Sequence, residues 1–178
     1  MLRKALLVAT LLVLLVLGGG IAVARGAPAL TAEGPTSVAG TDAAAAFTVG
    51  DRTVRQVRYV DEGTLSYTFR IANDGRLPVR VLGLADAQPE TRLFTIASMT
   101  DGTIASGETE EFTLSLDMAG CETLSARAGS FVTEIAVRTE TAGMFEDTVE
   151  LDLPEEIHTG SPREAFCPNS TATSRPPG

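Results

Sequence analysis

The sequence predicts an all-β fold, a seven-stranded antiparallel sandwich preceded by one N-terminal transmembrane or signal helix. Three features of the sequence predict it. Apolar and polar residues alternate in several short segments, turn-forming residues separate these segments, and no amphipathic helix follows the apolar N-terminal run. Because each predicted sheet has one apolar face, a second sheet is needed to cover it. A β-barrel is the alternative architecture.

The clearest strand lies in the segment TLSYTFRIANDG, residues 64–75. Successive side chains of a strand point to opposite faces, so this alternation builds one apolar face, and an Asn-Asp-Gly turn follows it. The second clearest strand spans residues 110–118. The side chains predicted to point inward from these two strands are Leu65, Tyr67, Phe69, Ile71, Phe112, Leu114, Leu116 and Met118. We expect both rows to lie in the same core.

The remaining strands follow from the same alternation. The seven predicted strands begin near residues 54, 65, 79, 93, 110, 130 and 148, and a further strand signal occurs at residues 46–49. In the strand that begins near residue 130, Phe131, Ile135 and Val137 are predicted to face inward. The last strand is expected to end at Pro154, because proline cannot donate a ladder hydrogen bond.

Residues 5–24 form an uncharged apolar run that follows Arg3 and Lys4. A membrane-spanning helix needs about 20 such residues, and positive residues before the run place the N-terminus in the cytoplasm and the rest of the chain outside. The small residues near Ala24 also suit a signal-peptidase cleavage site. Two interpretations stay open: a signal anchor that contacts the membrane through residues 5–24, or a cleaved signal peptide that leaves a secreted protein.

Four regions follow from these observations. Residues 1–25 are the signal anchor or signal peptide, and residues 26–44, rich in Ala, Gly, Pro, Ser and Thr, are expected to be a flexible linker. Residues 45–167 are expected to form the β-sandwich with a C-terminal extension. Residues 168–178 are predicted to be a disordered tail.

The charge of the chain excludes one class of partner. The formal net charge is −9, and the basic residues form no stripe. Because affinity for nucleic acids depends on neutralising phosphates with Lys and Arg, we expect no nucleic-acid binding.

Two segments carry a resemblance to a known family. The run LSYTFRIANDGRLPVRVLGL, residues 65–84, and the run IASGETEEFTLSL, residues 104–116, resemble extracytoplasmic immunoglobulin-like modules of bacteria, of the fibronectin-like or adhesion type. The shared pattern is a strand that ends in an Asn-x-Gly turn and a later Gly-Glu turn before a Phe-x-Leu-x-Leu strand. The resemblance implies an immunoglobulin-like sandwich that acts as a spacer or binds a protein partner in the cell envelope.

Cys121 and Cys167 are the two cysteines of a chain that is expected to be exported. An oxidising compartment favours a disulfide between them, and the chain-entropy model gives a bond of this span about 4 kcal/mol of stabilisation. A reactive thiol or a metal ligand is the alternative role for these residues.

No set of residues points to catalysis or to a cofactor. His158 is the single histidine and is expected to be a solvated residue of the C-terminal segment. Small-ligand or metal binding is the alternative function. Calcium would use acidic pairs in loops, and copper would use thioether sulfurs. The candidate ligands are Asp61, Glu62, Glu108, Glu110, Glu111, Glu146, Asp147, Glu155 and Glu156 for calcium, and Met99, Met118 and Met144 for copper.

Overall fold

A computed structural model describes residues 8–14, 18–19, 28–41, 44–57, 62–91, 94–118 and 130–159. Residues 8–14 and 18–19 are helical, and no helix among the described residues is long and apolar enough to cross a membrane. The strands are β1 (Leu30–Ala39), β2 (Ala44–Val49), β3 (Arg52–Val57), β4 (Thr64–Asn73), β5 (Val79–Leu84), β6 (Phe94–Met99), β7 (Gly102–Ile104), β8 (Thr109–Met118), β9 (Ser130–Thr141) and β10 (Phe145–Thr159).

The strands form two sheets that face each other across one core. Sheet A has the order β1-β4-β8-β6, and sheet B has the order β2-β3-β10-β9-β5-β7. Every strand pair is antiparallel except β3 with β10, which run parallel. The prediction of an all-β sandwich is confirmed, and the prediction of a purely antiparallel one is wrong at this single pair.

The core rests on the two apolar rows that the sequence predicts. All eight predicted side chains of β4 and β8 are buried, and the register places Leu65 beside Leu116, and Phe69 beside Phe112. Sheet B covers these rows with the inward side chains of β9 and β10, including Ile135, Val137 and Leu151. Each buried side chain of this kind stabilises the fold by about 1.5–3 kcal/mol relative to exposure.

The structure has ten strands where the sequence predicts seven. The additional strands are β1, β7 and β2, of which β2 contains the further strand signal at residues 46–49. Strand β1 lies within residues 26–44, so the expectation of a flexible linker does not hold for Leu30–Ala39. Its backbone pairs with the edge of β4, and Arg70 of β4 forms an ion pair with Glu33 of β1 at 2.8 Å. Leu30, Ala32 and Val38 of β1 also pack against the core, but Gly34 and Pro35 interrupt the alternation between them, so the sequence carries no clear strand signal.

Strand β10 continues through Pro154, so the predicted end of the last strand is wrong. The register between β10 and β9 shifts between Asp152 and Ile157, and β10 then resumes the ladder as far as Thr159. Proline is tolerated at such a bulge because no partner needs its missing N–H. His158 therefore lies within a strand and is half-buried, where the sequence predicts a solvated residue of the C-terminal segment.

The same irregularity changes which side chains of β9 face inward. Ile135 and Val137 are buried as predicted, but Phe131 is 57% exposed and Val132 is buried in its place. Two successive exposed residues, Thr133 and Glu134, lie opposite the bulge of β10 and shift the alternation by one residue. The inward prediction for Phe131 is therefore wrong.

Asn73 connects the two sheets at the end of β4. Its buried side-chain amide donates to the carbonyl oxygens of Leu77 at 2.9 Å and Ile104 at 3.1 Å, and its Oδ1 accepts from the N–H of Gly75 at 3.0 Å. Leu77 precedes β5 and Ile104 ends β7. The side chain of a sheet A residue therefore donates hydrogen bonds to carbonyl groups in or next to strands of sheet B. The predicted Asn-Asp-Gly turn is thus also a junction between the sheets.

Candidate functional site

A cluster of four buried or half-buried polar side chains, Thr36, Arg55, Tyr67 and Glu155, is called here the buried quartet. Each comes from a different strand: β1, β3, β4 and β10 respectively. The Glu155 side chain is 5% exposed, that of Arg55 is 18% exposed, and Tyr67 is fully buried. The quartet therefore lies where sheet A and sheet B meet.

Three members of the quartet form a closed set of hydrogen bonds. The Arg55 Nε donates to Glu155 Oε1 at 3.0 Å, and the Arg55 Nη2 donates to Thr36 Oγ1 at 3.0 Å. The Thr36 hydroxyl in turn donates to the same carboxylate oxygen. The charges neutralise each other, and the hydrogen bonds offset part of the cost of removing them from water.

The fourth member, Tyr67, lies beside this ion pair, close enough for Glu155, Arg55 and Thr36 to affect the pKa of its hydroxyl. Its hydroxyl is buried and has no hydrogen-bond partner of good geometry among the described residues. Burial raises the pKa of the Tyr67 hydroxyl far above its ordinary range, and the negative charge of Glu155 raises it further, while Arg55 opposes the rise. Tyr67 therefore stays protonated at any physiological pH and is unsuited to act as a general base.

An open groove of about 430 Å³ borders the quartet on the surface of sheet B. It follows the bulge of β10, and Asp51, Arg52, Asp152 and Glu156 contribute charged side chains to it. Arg52 and Glu156 form an ion pair across it at 3.0 Å, with the arginine side chain 65% exposed. Exposed pairs of this kind contribute little to stability.

The predicted metal ligands do not converge. Among the described residues, no group of three or more Asp, Glu, His or Cys side chains is placed to hold a metal ion. Met99 and Met118 are buried in the core, whereas Met144, in the turn between β9 and β10, is 73% exposed. The thioethers thus belong to separate environments. Cys121, Cys167 and Asp61 lie outside the described residues, so the predicted disulfide is not tested.

The surface of sheet B carries apolar side chains that the sequence reasoning missed. Phe47 and Val49 of β2 are 44% and 49% exposed, and Phe131 of β9 is also exposed. The register places Phe47 beside Val54, on the same outer face as Phe131. The consecutive polar pair Thr133-Glu134 is the one sequence signal from which the outward position of Phe131 could have been predicted.

Comparisons with known proteins add a weak structural likeness. No protein-family model matches the chain, and no curated protein matches it. Among solved structures, the chain is similar to the cupredoxin domain of amoB from Nitrosocaldus yellowstonii, at 15% identity and a TM-score of 0.29. The alignment covers 65% of this chain and 65% of that domain, which is less than two thirds of its length. A likeness of this size carries no argument about metal binding or function.

Proposed function

We propose that the chain is a non-catalytic immunoglobulin-like module of a bacterial cell envelope that works through contacts with protein. The observation that carries this proposal is the β2 side of sheet B, where a sheet edge and the apolar side chains of Phe47 and Val49 face solvent together. Exposed apolar groups beside a free strand edge are suited to binding another polypeptide by strand addition.

The chemistry of the buried quartet supports a non-catalytic role. Its ion pair is already satisfied by internal hydrogen bonds, and Tyr67 keeps its proton, so no quartet member offers a reactive group to a substrate. General acid–base catalysis needs a titratable group that is accessible and changes its protonation near the working pH. The quartet is better suited to joining the two sheets.

The N-terminal sequence supports an extracytoplasmic location for the module. Residues 5–24 would anchor it in the membrane with the sandwich on the extracytoplasmic side, or would be removed to leave a secreted protein. The intact mass of the protein recovered from cells separates these outcomes, because cleavage removes the whole apolar run. The same measurement under non-reducing conditions tests the disulfide between Cys121 and Cys167, since the oxidised form has two hydrogen atoms fewer.

Partner capture tests the proposed function. The full-length tagged chain is expected to retain a defined envelope protein from detergent extracts, and the purified partner should bind again in isolation. Phe131→Ser and Phe47→Ser should weaken capture if the partner contacts the outer face of sheet B, whereas Thr103→Ser on β7, at the opposite edge of the sheet, serves as the matched control. Failure of every extract to yield a partner that rebinds after purification would contradict the proposal.

A further inference from the structure

Of the four sheet edges in the described part of the chain, three are protected against pairing. Strand β1 contains Pro35 and a register shift between Glu33 and Ser37, and β6 has a register shift between Ile96 and Ser98. Strand β7 is only three residues long. Prolines, bulges and short length are the features by which natural proteins discourage edge-to-edge association.

Strand β2 has none of these features. It spans six residues, Ala44–Val49, with no charged residue and no proline, and its register with β3 is unbroken. All six residues are exposed. Strand β2 is therefore the one edge among the described strands that remains available for a further strand.

The backbone of β2 presents hydrogen-bonding groups to solvent at alternate residues. Gly50 and Asp51 connect Val49 to Arg52 in a two-residue turn, and Gly50 has the positive φ, 65°, that such turns need. Because Val49 and Arg52 flank the turn, they form a hydrogen-bonded pair with each other. Antiparallel pairs alternate, so residues 44, 46 and 48 direct their N–H and C=O groups away from β3.

We propose that β2 pairs in antiparallel fashion with β2 of a second copy of this chain, so that the two B sheets join edge to edge. This proposal rests on the proposed function as a protein-contact module and specifies one partner for it. A strand that adds to β2 must itself have a free edge, and β2 is the one described edge strand that has no proline, no register shift and more than three residues. Pairing one edge with itself gives a twofold dimer that closes, rather than an open fibre.

The outward groups of β2 fix the register of this dimer. A twofold axis at Phe47 sets Ala46 opposite Thr48 of the second copy, and both residues have outward backbone groups. The two Phe47 side chains then meet in a non-hydrogen-bonded pair, where cross-strand side chains approach most closely. Val49 lies opposite Ala45 of the second copy, so the apolar side chains that are exposed in one copy become covered in the dimer.

Charge also favours this edge for self-association. The chain carries a net charge of −9, so two copies repel each other through most of their surfaces. The six residues of β2 bring no charge into the contact. Because salt screens the general repulsion without weakening the apolar contact, dimerisation should become stronger as ionic strength rises.

Sedimentation of the full-length chain in detergent, over a range of protein concentration, tests the proposal. We expect a dimer for the wild type and for Ala46→Ser, which keeps the outward N–H. Ala46→Pro, which removes that N–H at an edge position where proline is tolerated, should weaken self-association roughly tenfold or more. A wild type that stays monomeric, or an Ala46→Pro variant that dimerises as tightly as Ala46→Ser, would overturn the proposal.

If Ala46→Pro does not fold, a pair of oppositely charged variants at Phe47 provides a second test of the dimer. Phe47→Lys and Phe47→Glu should each be monomeric, and an equimolar mixture should form a mixed dimer. Unchanged dimerisation of either single variant would overturn the proposal. These outcomes are distinct from a failure of the proposed function, because a monomeric module could still retain an envelope partner in the capture experiment.

Discussion

Arg55 donates a hydrogen bond from Nε to Glu155 Oε1 at 3.0 Å, and this largely buried ion pair joins β3 to β10. Thr36 of sheet A bonds to both charged side chains, so the pair also connects the two sheets. Removal of either charge would leave the other one buried without a counter-ion, and this asymmetry makes the pair a sensitive position in the fold.

Replacement of Glu155 by alanine should therefore destabilise the protein by about 3 kcal/mol. The double variant Arg55→Met with Glu155→Leu should recover most of this loss, because it leaves no unpaired charge. Denaturant titration gives both values. Arg52→Ala is the control, since its ion pair with Glu156 is exposed, and it should cost less than about 0.5 kcal/mol. If Glu155→Ala and Arg52→Ala lowered the free energy of unfolding equally, burial of the ion pair would not be the cause of its contribution.

The buried hydroxyl of Tyr67 should make stability depend on pH only in alkali. Its pKa is raised by burial in the folded protein, whereas in the unfolded chain tyrosine ionises near about 10. Below that pH both states hold the proton, so the contribution is constant. Above it only the unfolded state releases the proton, and the free energy of unfolding should fall by about 1.4 kcal/mol per pH unit.

Tyr67→Phe tests this dependence. The variant should lose the alkaline slope that Tyr67 causes, and at neutral pH its stability should lie within about 1 kcal/mol of the wild type, because the lost hydroxyl makes no hydrogen bond of good geometry among the described residues. Denaturant titrations at several pH values provide the measurement, and an unaltered slope in Tyr67→Phe would refute the assignment.

The two faces of β4 should respond very differently to a new carboxylate. Tyr67→Asp places an unpaired charge in the core and should cost more than about 4 kcal/mol. Arg70→Asp lies on the opposite face, where it removes a half-exposed ion pair with Glu33, and should cost about 1 kcal/mol. Circular dichroism during thermal unfolding distinguishes the two, and similar tolerance at both positions would be incompatible with the sandwich.

Asn73 should be more sensitive than its exposed neighbour in the turn. Asn73→Asp replaces an amide that donates to the carbonyl oxygens of Leu77 and Ile104 with a carboxylate that cannot donate, and we expect a loss of about 3 kcal/mol or more. Asp74→Asn, in the exposed part of the same turn, should change stability by less than about 0.5 kcal/mol. The difference between their denaturation midpoints is the measured quantity.

The sequence predicts the central strands well because each of them buries one face and leaves the other more exposed. The alternation from Leu65 to Ile71 records the face that each side chain occupies, and the structure confirms it. Strand β1 was not predicted because its apolar side chains are only partly buried and Gly34 and Pro35 interrupt their alternation. Phe131 and Pro154 were misplaced because a bulge changes the alternation, and a bulge depends on a partner strand that is distant in sequence.

The buried quartet could not be predicted for a related reason. Glu155 follows proline in an acidic segment, where an exposed position is the simplest expectation. Its burial depends on Arg55 and Thr36, which β3 and β1 bring to it from far earlier in the chain. The spacing of these residues in the sequence does not indicate that they lie together in the fold.

The parallel pairing of β3 with β10 has a consequence for the order in which the molecule assembles. The β2–β3 hairpin connects to the rest of sheet B through four residue pairs, from Val54 with Glu156 to Val57 with Thr159, and Arg55 meets Glu155 across 100 residues of chain. Contacts this distant in sequence form late in folding, and elements with few attachments open first. The backbone amides of the hairpin should therefore exchange with deuterium sooner than those of β4 and β8, so the proposed binding edge is expected to be less rigid than the centre of the sandwich.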